Sequence, residues 1–340
     1  MMKKLTLFLT ILSLLLCGCA KQQKPAVPAS DTLTVHFIDV GQADCALLEC
    51  DGKFMLIDGG NVDDSSLVVS YLQKVGVEEL EAVVCSHAHE DHVGGLPGVL
   101  AVFPTKAVYA PTRTYSSKCF DDFLYYTDQQ GLSVTIPKVS DTISLGDSTA
   151  TVLGPVKSYA DPNNTSIVLM VQFGENKFLF TGDMEVEAEN DMLDAGAKVK
   201  ADVLKVGHHG SNTSTGYRFL YEVDPTYAII SVGAGNTYGH PHDEPMSRLR
   251  DADAMIFRTD ELGSIVAVSD GKNITFTWDK SAAQPEDPTI SNHYYIGNKN
   301  SKTLHLPTCS SLPAEKNQIR FDSYEEAISA GYTPCGRCMK

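Results

Sequence analysis

The sequence predicts an α/β protein built as a two-sheet sandwich, followed by a small unit stapled by metal. Three observations carry this reading. From Thr32 to Trp278, short apolar runs of strand type alternate with stretches of helical period. Within that region a hairpin–helix–strand pattern occurs twice, with Asp and His at equivalent points. Beyond the Pro- and acid-rich break "DKSAAQPEDPTISN", the tail sets His305, Cys309, Cys335 and Cys338 in two tight pairs. A chain of 340 residues, 43% of them apolar, can bury one large core and carry a small second domain.

The N-terminus stands outside that core. "MMKKLTLFLTILSLLLCGCAK" has a basic start and an uncharged stretch from Leu5 to Leu16 that is short for a membrane span. It reads as a secretory signal over residues 1–18. Its exit, "LCGC", resembles the lipobox of bacterial lipoproteins, which implies cleavage after Gly18 and lipidation of Cys19. Ordinary signal cleavage a few residues later is the alternative. Residues 19–31 then form a polar, Pro-bearing tether. The expectation is an extracytoplasmic lipoprotein held at a membrane through Cys19. Of the nine cysteines, Cys17 leaves with the signal, Cys19 anchors and three lie in the tail. Cys45, Cys50, Cys85 and Cys119 are expected as buried free thiols, because a free Cys packs as a small hydrophobe. A net charge of −16 argues against coating nucleic acid by bulk electrostatics. It leaves room for an enzyme that presents metal ions to phosphate.

Residues 32–279 form the large domain. "TLTVHFIDV", "DCALLEC", "KFMLIDGG", "EAVVCS" and "KAVYA" are strand-like, and "SSLVVSYLQKVGV" is helix-like. The first copy of the repeat runs "CALLEC", "DG", "KFMLID", a helix, "EAVVCS" and then His87. The second runs "SIVLMVQF", "GENK", "FLFTGD", the helix "EVEAENDMLDAGA", "DVLKVG" and then His208. Two such halves would bring Asp58, Asp183, His87 and His208 to one edge of a sandwich.

The segment "CSHAHEDHVGG" holds His87, His89, Glu90, Asp91 and His92 in six positions. A solvated turn has no need of that crowding, whereas a site that activates water needs imidazole and carboxylate ligands with open coordination positions. Gly94 and Gly95 are expected to let the backbone turn tightly into the helix "LPGVLAVF". "HAHEDH" matches the His-x-His-x-Asp-His signature of the metallo-β-lactamase superfamily, whose fold is an αββα sandwich with a one- or two-metal site at the sheet edge. "VHFIDVGQADCALLE", "MLIDGG", "NNTSIVLMV", "FLFTGD", "DVLKVGHHGSNTS", "PTYAIISVGAGNTYGHP" and "FRTDELGSI" resemble, in order, the extracytoplasmic hydrolase domain of ComEC-type competence proteins and its stand-alone relatives.

The resemblance implies roles residue by residue. His87 and His89 bind a first ion, Asp91 and His92 a second, and Asp183 bridges them. Asp58 hydrogen-bonds the ligands from behind without touching metal. Where most of the superfamily has a further His before the bridging Asp, this chain has Asn163, Asn164 and Ser166, with Asn164 expected in a supporting role. His208 is the expected replacement ligand of the first ion and His209 the residue that meets substrate phosphate, or the two exchanged. His240 is expected as the last ligand of the second ion. The implied ions are two Zn²⁺ or Mn²⁺, a choice that this ligand set leaves open. They would activate a water held by Asp91 for in-line attack.

After a linker at 280–292, residues 293–340 form the tail module. His305-x3-Cys309 and Cys335-x2-Cys338 supply what a closed tetrahedral Zn²⁺ site requires, and so short a unit needs such a staple. One disulfide plus a free thiol is the alternative. The module resembles the zinc-binding domain of the Ada DNA-repair protein, with His305 where Cys is usual. It carries six Lys/Arg against four Asp/Glu on an otherwise acidic chain, which suits a nucleic-acid handle or a solvated structural cap. The leading functional reading is a membrane-anchored metal-dependent phosphodiesterase, a nuclease acting on DNA or RNA. The alternatives are a phosphoesterase acting on cell-wall phosphocholine or lipid-linked phosphate, and a non-catalytic DNA-binding lipoprotein that aids uptake.

Overall fold

The computed structural model describes residues 31–288, 294–307 and 309–339. The signal at 1–18, Cys19 and all of the tether before residue 31 lie outside them. Among the described residues no helix is long and apolar enough to cross a membrane.

The first half lays down β1 (Leu33–Phe37), β2 (Ala46–Cys50), β3 (Lys53–Ile57), β4 (Ala82–Val84) and β5 (Val108–Tyr109). Between them lie α1 (Ser65–Val75), α2 (Glu90–Val93) and α3 (Leu96–Val102), and α4 (Lys118–Gln129) follows. The second half gives β6 (Thr142–Leu145), β7 (Ser148–Gly154), β8 (Val168–Phe173), β9 (Asn176–Phe180), β10 (Val203–Lys205), β11 (Tyr227–Ile230) and β12 (Met255–Arg258). Its helices are α5 (Val186–Asp194), α6 (Tyr217–Val223), α7 (Asp243–Asp251) and the short α8 (Thr259–Leu262). The chain then returns to the first sheet with β13 (Ile265–Ser269) and β14 (Ile274–Trp278). The sheet orders are β14-β13-β1-β2-β3-β4-β5 and β12-β11-β10-β9-β8-β7-β6.

Three apolar layers explain the stacking. Leu33, Val35, Phe37, Met55 and Ile57 meet Leu169, Val171, Phe178 and Phe180 between the sheets. Phe37 stacks on Phe180 there, with ring centroids 5.9 Å apart. The outer face of the first sheet buries Val68 and Leu72 of α1, Leu96 and Val99 of α3, and Phe120 and Phe123 of α4. The outer face of the second covers Ala188 and Met192 of α5, Phe219 and Leu220 of α6, and Met246 and Leu249 of α7. Helix, sheet, sheet, helix is the predicted αββα arrangement.

The repeat is visible in the pairing. β2 and β3 form an antiparallel hairpin, α1 follows, and β4 lies parallel to β3. β8 and β9 form the second hairpin, α5 follows, and β10 lies parallel to β9. Both copies therefore deliver their loops to the same edge of the sandwich.

Two expectations need correction. Gly94 and Gly95 are not needed for an unusual turn, because both have right-handed φ/ψ. What they permit is close approach: a Cβ on Gly95 would lie 2.0 Å from the Gly59 carbonyl oxygen, and one on Gly94 2.4 Å from the Val62 nitrogen. The residues after β14 are also less of a linker than their composition suggests. Glu286 pairs with Ile256 of β12 through backbone hydrogen bonds and binds the Arg250 guanidinium. Cys45, Cys50, Cys85 and Cys119 are buried free thiols.

The tail forms a four-stranded sheet of order β17-β15-β16-β18, from β15 (Tyr295–Asn298), β16 (Thr303–His305), β17 (Gln318–Phe321) and β18 (Thr333–Pro334), with α9 (Tyr324–Ser329). Tyr295 is fully buried, with Leu304, Leu306, Phe321 and Tyr332 around it.

Candidate metal centre

Asp183 is the middle of the site. It follows β9 through the turn "TGD", and its N–H donates to Ser166 Oγ at 3.1 Å. Four imidazoles converge on its buried carboxylate. His92 Nε2 lies 3.2 Å from Oδ1, and His208, His209 and His87 Nε2 lie 3.6, 3.7 and 4.0 Å from Oδ2.

The loop after β4 supplies the first group. His87 is fully buried, and its Nε2 lies 3.0 Å from His89 Nδ1. His89 is half-buried, stands at the N-cap of α2, and has its ring edge-on to Tyr115. Asp91 and His92 sit in the first turn of α2, so their side chains diverge by one helical step. Asp91 reaches the cleft opening, whereas His92 turns inward. Behind His92, Asp58 accepts from Ser86 N–H at 2.6 Å and Ser86 Oγ at 2.7 Å, and His92 Nδ1 donates to it at 2.8 Å.

The second half supplies the rest. His208 and His209 follow β10 with φ of 50° and 52°, so two consecutive non-glycine residues are left-handed. Such backbone costs of the order of 1–3 kcal/mol per residue and is held where the surroundings demand it. Its effect is to send the two imidazoles different ways. His209, not His208, is buried against the second group, with Nε2 3.3 Å from Asp91 Oδ2. His208 stays at the mouth, where Nδ1 lies 3.2 Å from Thr213 Oγ1 and 3.4 Å from Glu185 Oε1. His240 is half-buried at the rim, 3.3 Å from Gln42 Nε2, with His208 edge-on to it at 5.6 Å. It is His209, rather than the expected His240, that lies beside both Asp91 and Asp183. A strand end would have alternated the two side chains, but this segment is a left-handed turn. Asn164 is buried and its Oδ1 accepts from Glu185 N–H, so it braces the loop after Asp183.

Sequence reasoning missed Asp44 and Lys205. Asp44 is 5% exposed and Lys205 4%, with Lys205 Nζ 2.8 Å from Asp44 Oδ2. Their signal was present in a charged residue inside each of the apolar stretches "QADCALLE" and "DVLKVG".

The electrostatics suit a cation. Burial alone would raise the Asp183 carboxyl, yet the imidazoles of His92 and His209 hold it well below the usual range. Burial would lower His209, but Asp183 and Asp44 lift it to about 10. Burial, reinforced by His92, pushes His87 well down. His92 Nε2, His209 Nε2 and Asp183 Oδ1 are buried and make no hydrogen bond. Asp91, His92, Asp183 and His209 offer ligand atoms within 4.8 Å of one another. Inward-facing nitrogens opposite carboxylates, without a hydrogen-bond partner, are what a divalent ion satisfies, so the donor set fits. Over them opens a cleft of about 340 Å³ lined by Gln42, His89, Asn163, His208, Tyr238 and His240 among others.

The tail holds a second cluster. His305, Cys309, Cys335 and Cys338 are buried with ligand atoms within 4.8 Å of one another. Backbone amides of Arg337 and Cys338 outweigh burial and lower the Cys335 thiol, which favours the thiolate that zinc needs.

Comparison with known proteins agrees with this geometry. Residues 38–234 match the metallo-beta-lactamase superfamily, and residues 279–340 match the metal binding domain of Ada. The chain is 31% identical over 250 residues to ComE operon protein 3 of Bacillus subtilis, covering 68% of this chain and 32% of that protein. It is 34% identical over 227 residues to recombination protein 2 of Haemophilus influenzae (64% and 26%) and 30% identical over 258 residues to competence protein ComA of Neisseria gonorrhoeae (74% and 34%). It spans between a quarter and about a third of the length of these curated relatives. On the matched domain, the αββα layers and the histidine–aspartate edge, the chain belongs to the metallo-β-lactamase superfamily and resembles the ComEC-type competence proteins over this domain, with an Ada-like zinc-binding module at its C-terminal end.

Proposed function

We propose that the chain hydrolyses phosphodiester bonds of nucleic acid at this cleft, with two divalent ions, zinc or manganese. The observation that carries the reading is the convergence of four imidazoles on the single buried carboxylate of Asp183. Asp183 would bridge the two ions. His87, His89 and His208 would hold one ion, and Asp91, His92 and His209 the other. When bound, such ions supply Lewis-acid activation of both water and phosphate. Asp91, the carboxylate of this set that reaches the cleft opening, would orient the attacking water. His240, Asn163 and Tyr238 line the rim, where the substrate must lie. Two of the relatives are named for recombination and for competence, processes that handle DNA, which supports nucleic acid as the substrate class. In this reading Cys19 carries the lipid that holds the enzyme outside the membrane, supported by the "LCGC" exit, and Cys19→Ser should release the chain from the membrane fraction.

The test uses the full chain beside Asp183→Ala, with bound metal determined. Single- and double-stranded DNA, RNA and a phosphocholine ester are offered in zinc or manganese. Cleavage of nucleic acid by the wild type, lost in the variant, is the expected result. Turnover of the phosphocholine ester alone would replace the reading with a cell-wall phosphoesterase. DNA retained without turnover of anything would replace it with a binding protein.

A further inference from the structure

Behind His209 lies a charged pair that stability does not explain. Strand alternation sends Val203 and Lys205 of β10 to the same face, and Val203 joins the core between the sheets. Lys205 therefore brings an ammonium into an apolar layer, where it meets Asp44 at 2.8 Å. Ions withdrawn this far from water recover their desolvation cost poorly, and apolar residues of similar volume often serve stability as well or better.

The placement of Asp44 gives the pair another task. Its N–H donates to the Asp91 carbonyl at 3.1 Å, and its own carbonyl accepts from Gly60 N–H at 2.9 Å, two residues beyond Asp58. Its Oδ1 lies 3.3 Å from His209 Nδ1, which also lies 2.9 Å from the Ser231 carbonyl. One residue thus touches three of the loops that build the metal centre. The Ser231 carbonyl calls for a proton at Nδ1, and the Asp44 carboxylate beside it, whose Oδ1 has no hydrogen bond of its own, stabilises that proton by charge. This leaves Nε2 as the nitrogen whose lone pair can face an ion beside Asp91 and Asp183. Lys205 supplies the complement. Asp44, Asp58 and His92 offer ligand atoms within 4.8 Å of one another, so an uncompensated Asp44 would attract a cation to the wrong side of His92. The ammonium on Asp44 Oδ2 cancels that attraction.

We propose that Asp44 and Lys205 are a positioning pair for the metal centre: Asp44 fixes His209 as the Nδ1–H tautomer, and Lys205 keeps the Asp44 carboxylate from competing for the ion. The inference rests on the metal-binding part of the proposed function and not on which phosphodiester is cut.

The test reads zinc stoichiometry and affinity in the full chain by chelator competition. Two double variants avoid stranding one buried charge: Asp44→Leu with Lys205→Met, and Asp44→Asn with Lys205→Met. The apolar double variant should unfold at the wild-type midpoint or above, yet bind one hydrolase-site ion about 10–100-fold more weakly, the usual cost of losing a partner behind a ligand. Tail zinc should be unchanged. The amide double variant keeps a polar oxygen facing His209 Nδ1 and should recover part of the affinity. Wild-type affinity for both ions in the apolar variant would overturn the proposal and leave the pair a structural strut. If that variant does not fold, the wild type decides through its histidine ¹⁵N–¹H spectrum with zinc bound. His209 must carry its proton on Nδ1 and the metal on Nε2, and the reverse overturns the proposal. A wild type that binds zinc in its tail alone defeats the metal-centre reading itself, and this inference with it.

Discussion

Asp58 illustrates how much of a metal centre is made by residues that do not face the ion. It is buried at the end of β3 with φ of 59°, and both its oxygens are occupied, by Ser86 and by His92 Nδ1. That contact puts the proton of His92 on Nδ1 and turns Nε2 towards Asp183. Asp58→Ala is therefore expected to weaken binding of one ion by about 10–100-fold, with Asp58→Asn milder because an amide oxygen still accepts. Chelator competition checks it, and equal affinity in Asp58→Ala would mean that Asp58 merely braces Ser86. His87, His89, Asp91 and His92 were legible because His-x-His-x-Asp-His is dense enough to exclude ordinary uses. The orientation of His208 and His209 was not legible. Left-handed backbone is a minority conformation even for His, so two adjacent histidines do not announce it.

At the scale of elements, the hairpin–helix–strand repeat predicted which loops share an edge, because parallel β3–β4 and β9–β10 pairs must release their chains on the same side. The sequence did not reveal how the loop after His209 is held. Glu189 of α5 is buried and accepts from the N–H groups of Thr215 and Gly216, the latter the N-cap of α6. Arg248 of α7 closes the same loop from the other side by donating to the Ser214 and Thr215 carbonyls. Glu189 reads in sequence as one more acid on an acidic helix, since only the tertiary fold takes it out of water. Burial lifts its carboxyl from 4.5 to about 7, against the pull of the two backbone amides. The folded state thus holds a proton between those values that the unfolded state has lost. Stability from this group is complete below about pH 4.5 and declines as pH rises towards 7, by of the order of 3 kcal/mol in all. Glu189→Gln should flatten that part of the profile. Melting temperatures at pH 4.5, 5.5 and 7 test it, and parallel profiles for wild type and variant would show that Glu189 is ionised throughout.

For the whole molecule, the two domains were separable in sequence but their contact was not. The spacing of His305, Cys309, Cys335 and Cys338 marked out the tail unit, whereas the docking surface is drawn from ordinary helix positions far apart in the chain. Tyr324 of α9 stacks on Tyr217 of α6 at 4.3 Å, and Tyr295 OH donates to Asp251 and lies 2.8 Å from Ser247 Oγ. The Arg248 guanidinium lies 5.3 Å over the Tyr217 ring while donating to the loop below. The module therefore leans on the segment that follows the metal-centre histidines, yet its own core of Tyr295, Leu304, Phe321 and Tyr332 is separate from the three layers of the sandwich. That separation predicts independent failure. Cys335→Ser opens the tetrahedral site, and a unit this small cannot hold its fold on so few apolar residues. The variant should lose one zinc and the calorimetric transition of the tail. The sandwich should keep its own transition and whatever metal its own site binds, because the layers around Asp183 take nothing from the tail. Loss of the hydrolase ions together with the tail zinc would show instead that the Tyr217–Tyr324 contact is what holds the loop after His209 in place.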